Sequence, residues 1–268
     1  MTRDQLVQTI RAKKSFLCVG LDTDPDKIPA HLRNQPDAVV AFNKAIIDAT
    51  LNECVAYKIN TAFYEAMGTK GWEAMEQTVR YIPDTHFTIA DAKRGDIGNT
   101  SSQYAKAFFE YFDFDAITVA PYMGEDSIRP FLEYTNKWTI VLGLTSNRGA
   151  ADFELQSMTS GKRLFEQVIS TVSKWGNPGN LMFVTGATQA SELSTIRNII
   201  PDHFLLVPGV GFQGGSLQDV CNHGLNNDIG LLVNVSRAIL YAGEKETFAT
   251  EANVIAQQYQ QEMSAFIQ

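Results

Sequence analysis

The chain is poor in the features that would decide several function classes at once. It holds three cysteines, Cys18, Cys54 and Cys221. They are odd in number, far apart and without a C-x-x-C pair, so neither a disulfide framework nor a cysteine-built zinc site is expected. Buried thiols in a reducing compartment are the expected state, and the protein is expected to be cytoplasmic. The opening Met1-Thr2-Arg3-Asp4 leads into no apolar signal core. No apolar run approaches the roughly 18 residues a membrane span needs. No run of lysine and arginine is sustained, and 22 basic residues stand against 30 acidic ones, a net charge of −8. A nucleic-acid polymer is therefore not an expected partner, because a phosphate backbone asks for a clustered positive footprint. The bulk charge says nothing of a small anion, whose site is local. The four histidines form no H-x-x-x-H pair and no G-x-S-x-G string is present, so no metal site and no serine-hydrolase elbow is expected.

What remains is apolar mass: 44% of the 268 residues are hydrophobic and 19% charged. That composition belongs to a globular chain with a sizeable core. At about 150 residues per domain the length fits two domains, or one barrel of about 250 residues. Eight short apolar runs decide between them: 16–21, 55–59, 87–90, 116–120, 139–144, 181–185, 204–207 and 229–233. They do not alternate polar with apolar, which suits strands buried on both faces. Helical spacing fills the gaps. Val39, Phe42, Ile46, Ile47 and Leu51 share one face, as do Leu164, Phe165, Val168, Ile169 and Val172, and 246–267 reads as a closing helix. Strand and helix alternating eight times predicts a (β/α)8 TIM barrel, α/β in class, with 1–268 as a single domain and a doubly wound open sheet as the alternative. The stretch 146–161 reads as a long loop and 176–180 as a turn.

In such a barrel the chemistry collects where strands end. The densest polar cluster is Asp91-Ala92-Lys93-Arg94-Gly95-Asp96, after the third run. Asp91 and Lys93 stand two apart and face the same way if the strand continues. Asp96 lies further into the loop, and Thr100 or Ser101 is placed to cap the next helix. Asp22 follows the first run and Lys58 ends the second. A lysine there needs a partner or loses its charge. Asp22, Lys58, Asp91 and Lys93 are thus expected to meet, either as a reactive site or as a structural ion-pair network at the rim.

A second cluster follows the seventh run. The stretch 207–215, V-P-G-V-G-F-Q-G-G, brings Pro208, Gly209 and Gln213 into a loop whose backbone N–H groups can approach a ligand. After the eighth run come Asn234-Val235-Ser236-Arg237. The loops after strands seven and eight are the usual phosphate seat of these barrels, and Arg237 supplies a bidentate cation. A tight turn with glycine serving geometry alone is the other reading.

With these residues in place, Asp91-Ala92-Lys93-Arg94-Gly95-Asp96-Ile97 resembles the D-x-K-x-x-D-I signature of the orotidine 5′-phosphate decarboxylase family. Asp22, Lys58, the loop from Pro208 to Gln213 and Arg237 follow the same pattern in order, so the resemblance spans most of the chain. The D-x-K-x-x-D motif alone is shared with a sugar-phosphate aldolase-like branch. Asp22, Lys58 and K-R-G-D-I-G-N-T together are more specific.

The resemblance implies loss of CO2 from orotidine 5′-monophosphate to give UMP, the last step of de novo pyrimidine synthesis, without metal or organic cofactor. It implies that Lys93 stabilises the C6 carbanion and protonates it. It also implies that Asp91 lies against the departing carboxylate, and that Lys58 and Asp22 orient the ribose hydroxyls and Asp91. Ser146 matches a contact to the pyrimidine edge; Gln213 and Arg237 match phosphate contacts, with Pro208, Gly209 and Ser236 beside them. A homodimer is implied as well, with Asp96, Ile97 and Thr100 reaching the partner's site. The 146–161 stretch is longer than in compact members and resembles a longer bacterial subgroup. Two other readings stay open: a metal-dependent aldolase or decarboxylase acting on a sugar phosphate, and a non-catalytic phosphate-binding barrel.

Overall fold

A computed structural model describes residues 1–211 and 215–267. Eight parallel strands close into one barrel in sequence order: β1 Leu17–Gly20, β2 Ala56–Asn60, β3 Phe87–Arg94, β4 Ala116–Val119, β5 Trp138–Leu144, β6 Leu181–Thr185, β7 Phe204–Pro208 and β8 Leu231–Val235. The pairing of β1 with β8, Leu17 opposite Val233, closes the ring and rules out the open sheet. β1, β4 and β6 are buried along their whole length, which is why their sequences are mostly apolar, with Thr118 in β4 and Thr185 in β6 as the polar exceptions.

The expected helices form, slightly trimmed: Ala38–Thr50, Leu164–Val172 and Phe248–Ser264. The first of these buries Val39, Phe42, Ile46 and Ile47. The long loop carries a short 3-10 turn, Arg148–Asp152. Two local expectations change. The helix after β3 starts at Gly98, so Thr100 lies inside its first turn and caps nothing. Ser101 is also internal, and its hydroxyl bonds the Asp96 and Ser127 carbonyls instead. Asp91 and Lys93 both lie within β3, which continues past the apolar run to Arg94.

The end of the barrel opposite the strand tips is sealed. Trp138 meets Phe87 and Phe204 edge-on, with ring centres 6.0 and 6.3 Å apart, and its indole N–H donates to the Met1 carbonyl. The helix Arg3–Lys13 lies across this end, with Arg3 bonded to the Pro178 carbonyl and Asp228.

Two histidines at this end are harder to protonate in the folded chain than in the unfolded one. Burial lowers His203 to about 4, helped by the Arg3 and Arg197 charges. Burial, then the Lys13 ammonium, lowers His86. The unfolded chain takes up these protons near pH 6.5, so their contribution to stability is complete above that value and is lost as pH falls through it. His203 alone is expected to cost about 2 kcal/mol between pH 7 and pH 5. Asp91, held below the usual carboxylate range, loses its contribution only at lower pH and does not enter this window. Urea unfolding at the two pH values measures the loss, and His203→Phe should remove the His203 share and leave that of His86.

Candidate active site

Asp22, just beyond β1, meets Lys58 from β2 at the open end. Leu21 N–H donates to the Lys58 carbonyl at 2.7 Å, which ties the two strand ends together. Lys58 Nζ then donates to Asp22 Oδ1 and to Asp91 Oδ2, each at 3.1 Å. Lys93 Nζ donates to Asp91 Oδ1 at 2.6 Å. The four side chains expected to meet do so, in the alternating order Asp22–Lys58–Asp91–Lys93.

The electrostatics follow from burial and sequence order. Desolvation alone would lower Lys58, but Asp22 and Asp91 outweigh it and hold the ammonium above its ordinary range. Burial alone would raise Asp91, but Lys58 and then Lys93 outweigh it and keep the carboxylate ionised. Lys58 is 4% exposed and Lys93 51%. One lysine is therefore locked between two carboxylates, while the other has an open side toward the cleft.

Asp91 and Lys93 do meet, but not through strand alternation. Ala90 pairs with Ile117 and Arg94 with Val119, so Asp91, Ala92 and Lys93 stand opposite one β4 residue, Thr118. This is a bulge, and Lys93 takes a φ of 47° within it. Strict alternation does not hold there. The Lys93 ammonium reaches Asp91 because the bulge turns the backbone.

Around these charges lies a cleft of about 290 Å³, near the lower end for small-ligand sites. Ser146, Pro208, Gly209, Ser236 and Arg237 line it together with the four charged residues. Gly20 lets β1 and β8 close up, since a Cβ there would stand 1.9 Å from Ser236 Oγ. Gly209 and Gly211 have φ of 95° and 77°, which suits glycine in a loop that presents backbone N–H groups. Gln213 lies outside the described residues. Asp96, Ile97 and Thr100 are not among the cleft-lining residues of their own chain. Asp96 Oδ1 accepts from Ile97 N–H at 2.8 Å, and Ile97 is 59% exposed.

Three supporting residues escaped the sequence reading. Thr118 bonds both Lys93 and Asp91. The Tyr241 hydroxyl accepts from Asp24 N–H and donates to the Asp22 carbonyl, fixing the loop after β1. Glu154, from the long loop, accepts from Thr145 N–H at 2.6 Å and so holds the residue before Ser146. Only Thr118 left a signal, a hydroxyl within an apolar run.

A larger cavity, about 900 Å³, opens at the sealed end beside Met1, His86 and Asp115. It lacks the alternating lysines and carboxylates, so chemistry rather than size selects the smaller cleft. Among the described residues, no three His, Cys, Asp or Glu side chains are grouped to hold a metal ion.

Comparison with known proteins points the same way. A family model described as orotidine 5′-phosphate decarboxylase / HUMPS matches residues 15–252. Orotidine 5′-phosphate decarboxylase of Phocaeicola vulgatus is 58% identical over 266 residues, 98% of each chain. That of Bacteroides fragilis is 55% identical over 267 residues, 98% of this chain and 97% of the relative. The solved structure of Leishmania donovani OMP decarboxylase superposes with a TM-score of 0.81 at 35% identity, covering 97% of this chain and 99% of that one.

Proposed function

The chain belongs to the orotidine 5′-phosphate decarboxylase / HUMPS family, and from that premise we propose the part each of its residues plays. The reaction is decarboxylation of orotidine 5′-monophosphate to UMP, a carboxy-lyase step of pyrimidine biosynthesis. The observation that carries the roles is the Asp22–Lys58–Asp91–Lys93 chain at the cleft floor. The whole of 1–268 acts as one catalytic domain.

The bond between ring C6 and the carboxylate breaks, CO2 leaves, and the electron pair stays on C6. Lys93, with its open side toward the cleft, stabilises that charge and delivers a proton from Nζ to C6. The proton taken from Lys93 is later replaced from solvent, so the sum is orotidylate plus one proton giving UMP and CO2. Asp91 stands beside the departing carboxylate and holds Lys93 in place. Lys58 is too enclosed to exchange protons freely; it fixes Asp91 and, with Asp22, meets the ribose hydroxyls. Ser146 contacts the pyrimidine edge. The phosphate sits against Gly209, Ser236 and Arg237, with Pro208 shaping the loop and Gln213 assigned a phosphate contact by resemblance alone. Phosphate binding at a distance can help assemble the charged site.

The active unit is a homodimer in which Asp96, Ile97 and Thr100 enter the partner's cleft. Supporting this, Ile97, Tyr122 and Met123 expose apolar surface on adjoining loops, Tyr122 to 93%. Among the described residues no helix is long and apolar enough to cross a membrane. The three cysteines are free and buried, which supports a cytoplasmic site of action. The protein needs no metal and no organic cofactor for this chemistry.

Loss of orotidylate absorbance, followed with a chelator present, tests the reading. Steady turnover is expected. Absence of turnover would falsify it, and turnover that requires added magnesium would favour the metal-dependent sugar-phosphate branch of the family.

A further inference from the structure

We propose that Thr118 is a positioning residue that sets the geometry of both Lys93 and Asp91. The inference rests on the decarboxylase reading for its kinetic consequence, but not for its structural one. Thr118 is wholly buried in β4, opposite the three-residue bulge of β3. Its hydroxyl accepts from Lys93 N–H at 2.9 Å and lies 3.0 Å from Asp91 Oδ1. The direction of both bonds is fixed. A backbone N–H can only donate and an ionised carboxylate can only accept, so the single hydroxyl proton points at Asp91.

Two things follow from that fixed direction. Lys93 sits at φ 47°, a region costly for a residue with a Cβ, and the Thr118 oxygen is the acceptor that holds its N–H there. Asp91 is also held in one rotation: Oδ2 faces Lys58, and Oδ1 faces Lys93 and Thr118. When Lys93 gives up its proton, its ionic hold on Oδ1 weakens. Thr118 and Lys58 then keep the carboxylate from swinging, so the lysine returns to the same place after each turnover. Thr118 touches neither the reacting carbon nor the proton in transit and acts through its two neighbours.

Thr118→Val keeps the shape and removes the hydroxyl; Thr118→Ser keeps the hydroxyl and removes a methyl. The valine variant is expected to lose about 30-fold in kcat with KM changed less than about threefold, and serine to stay within about threefold of the parent. Valine at the parental kcat, or serine as slow as valine, overturns the proposal. Amide hydrogen exchange at Lys93 gives a readout independent of turnover, expected to quicken at least about tenfold in the valine variant but not in the serine one. Should the parent chain itself fail to decarboxylate orotidylate, the decarboxylase reading falls, and exchange decides the role of Thr118: an unchanged rate in the valine variant overturns it.

Discussion

Lys93→Ala is expected to lower kcat for orotidylate by about four orders of magnitude or more, while UMP binding stays measurable. Two contributions vanish together. Removing a positioned general acid typically costs about 10²–10⁴-fold, and removing a cation aimed at developing charge adds about 10²–10³-fold. The scaffold should survive the change. Lys93 is half exposed, and its loss leaves Asp91 still bonded to Lys58 and Thr118. No buried charge is stranded, which is the usual source of large destabilisation in such networks. The phosphate side of the cleft, where Ser236 and Arg237 lie, is untouched. Steady-state kinetics together with calorimetric titration of UMP separate the two effects. A near-normal rate would remove Lys93 from the role of acid, and loss of UMP binding would mean that the lysine holds substrate rather than transforming it.

Much of the fold and of this site is legible in the sequence. Strand runs were legible because each strand is buried on both faces, and that leaves a continuous apolar signature independent of the fold's details. Residues at strand ends were legible because a barrel sends every strand tip to one face, so Asp22, Lys58 and Asp91 had to converge once the barrel was accepted. The bulge in β3 was not legible. It depends on how Ala90 and Arg94 register against β4, a pairing between strands that no local pattern encodes. Thr118 left a signal, a hydroxyl in an apolar run, but its role depends on partners across the barrel that no local pattern encodes. Glu154 and Tyr241 act through backbone contacts to residues 9 and 217 positions away, Thr145 and Asp24. The helix after β3 begins at Gly98, ahead of Thr100, and Ser101 bonds carbonyls instead of capping, which depends on contacts with Asp96 and Ser127.

Mixing two inactive variants, Asp96→Asn and Lys93→Ala, is expected to restore activity to about a quarter of the parental sites if subunits exchange freely in a twofold dimer. Random pairing makes about half the dimers mixed, and each mixed dimer holds one cleft with Lys93 from one subunit and Asp96 from the other. Its second cleft lacks both. The expectation turns on where Asp96 sits. It is not among the residues that line the cleft of its own chain, and its Oδ1 is turned to Ile97 N–H, as the proposed shared site requires. A Cβ at Gly95 would stand in ordinary contact with the Ala120 carbonyl and Met123, each at 3.4 Å, so the loop carrying Asp96 and Ile97 lies beside the loop carrying Tyr122 and Met123. Together these loops present the exposed apolar side chains beside the cleft mouth. Asp96→Asn alone should be inactive yet fold normally, since the Asn side-chain carbonyl can still accept from Ile97 N–H as Asp96 Oδ1 does. Mixed dimers confirmed by mass spectrometry but without recovered turnover would show that Asp96 serves its own chain's site, and would remove the shared-site arrangement.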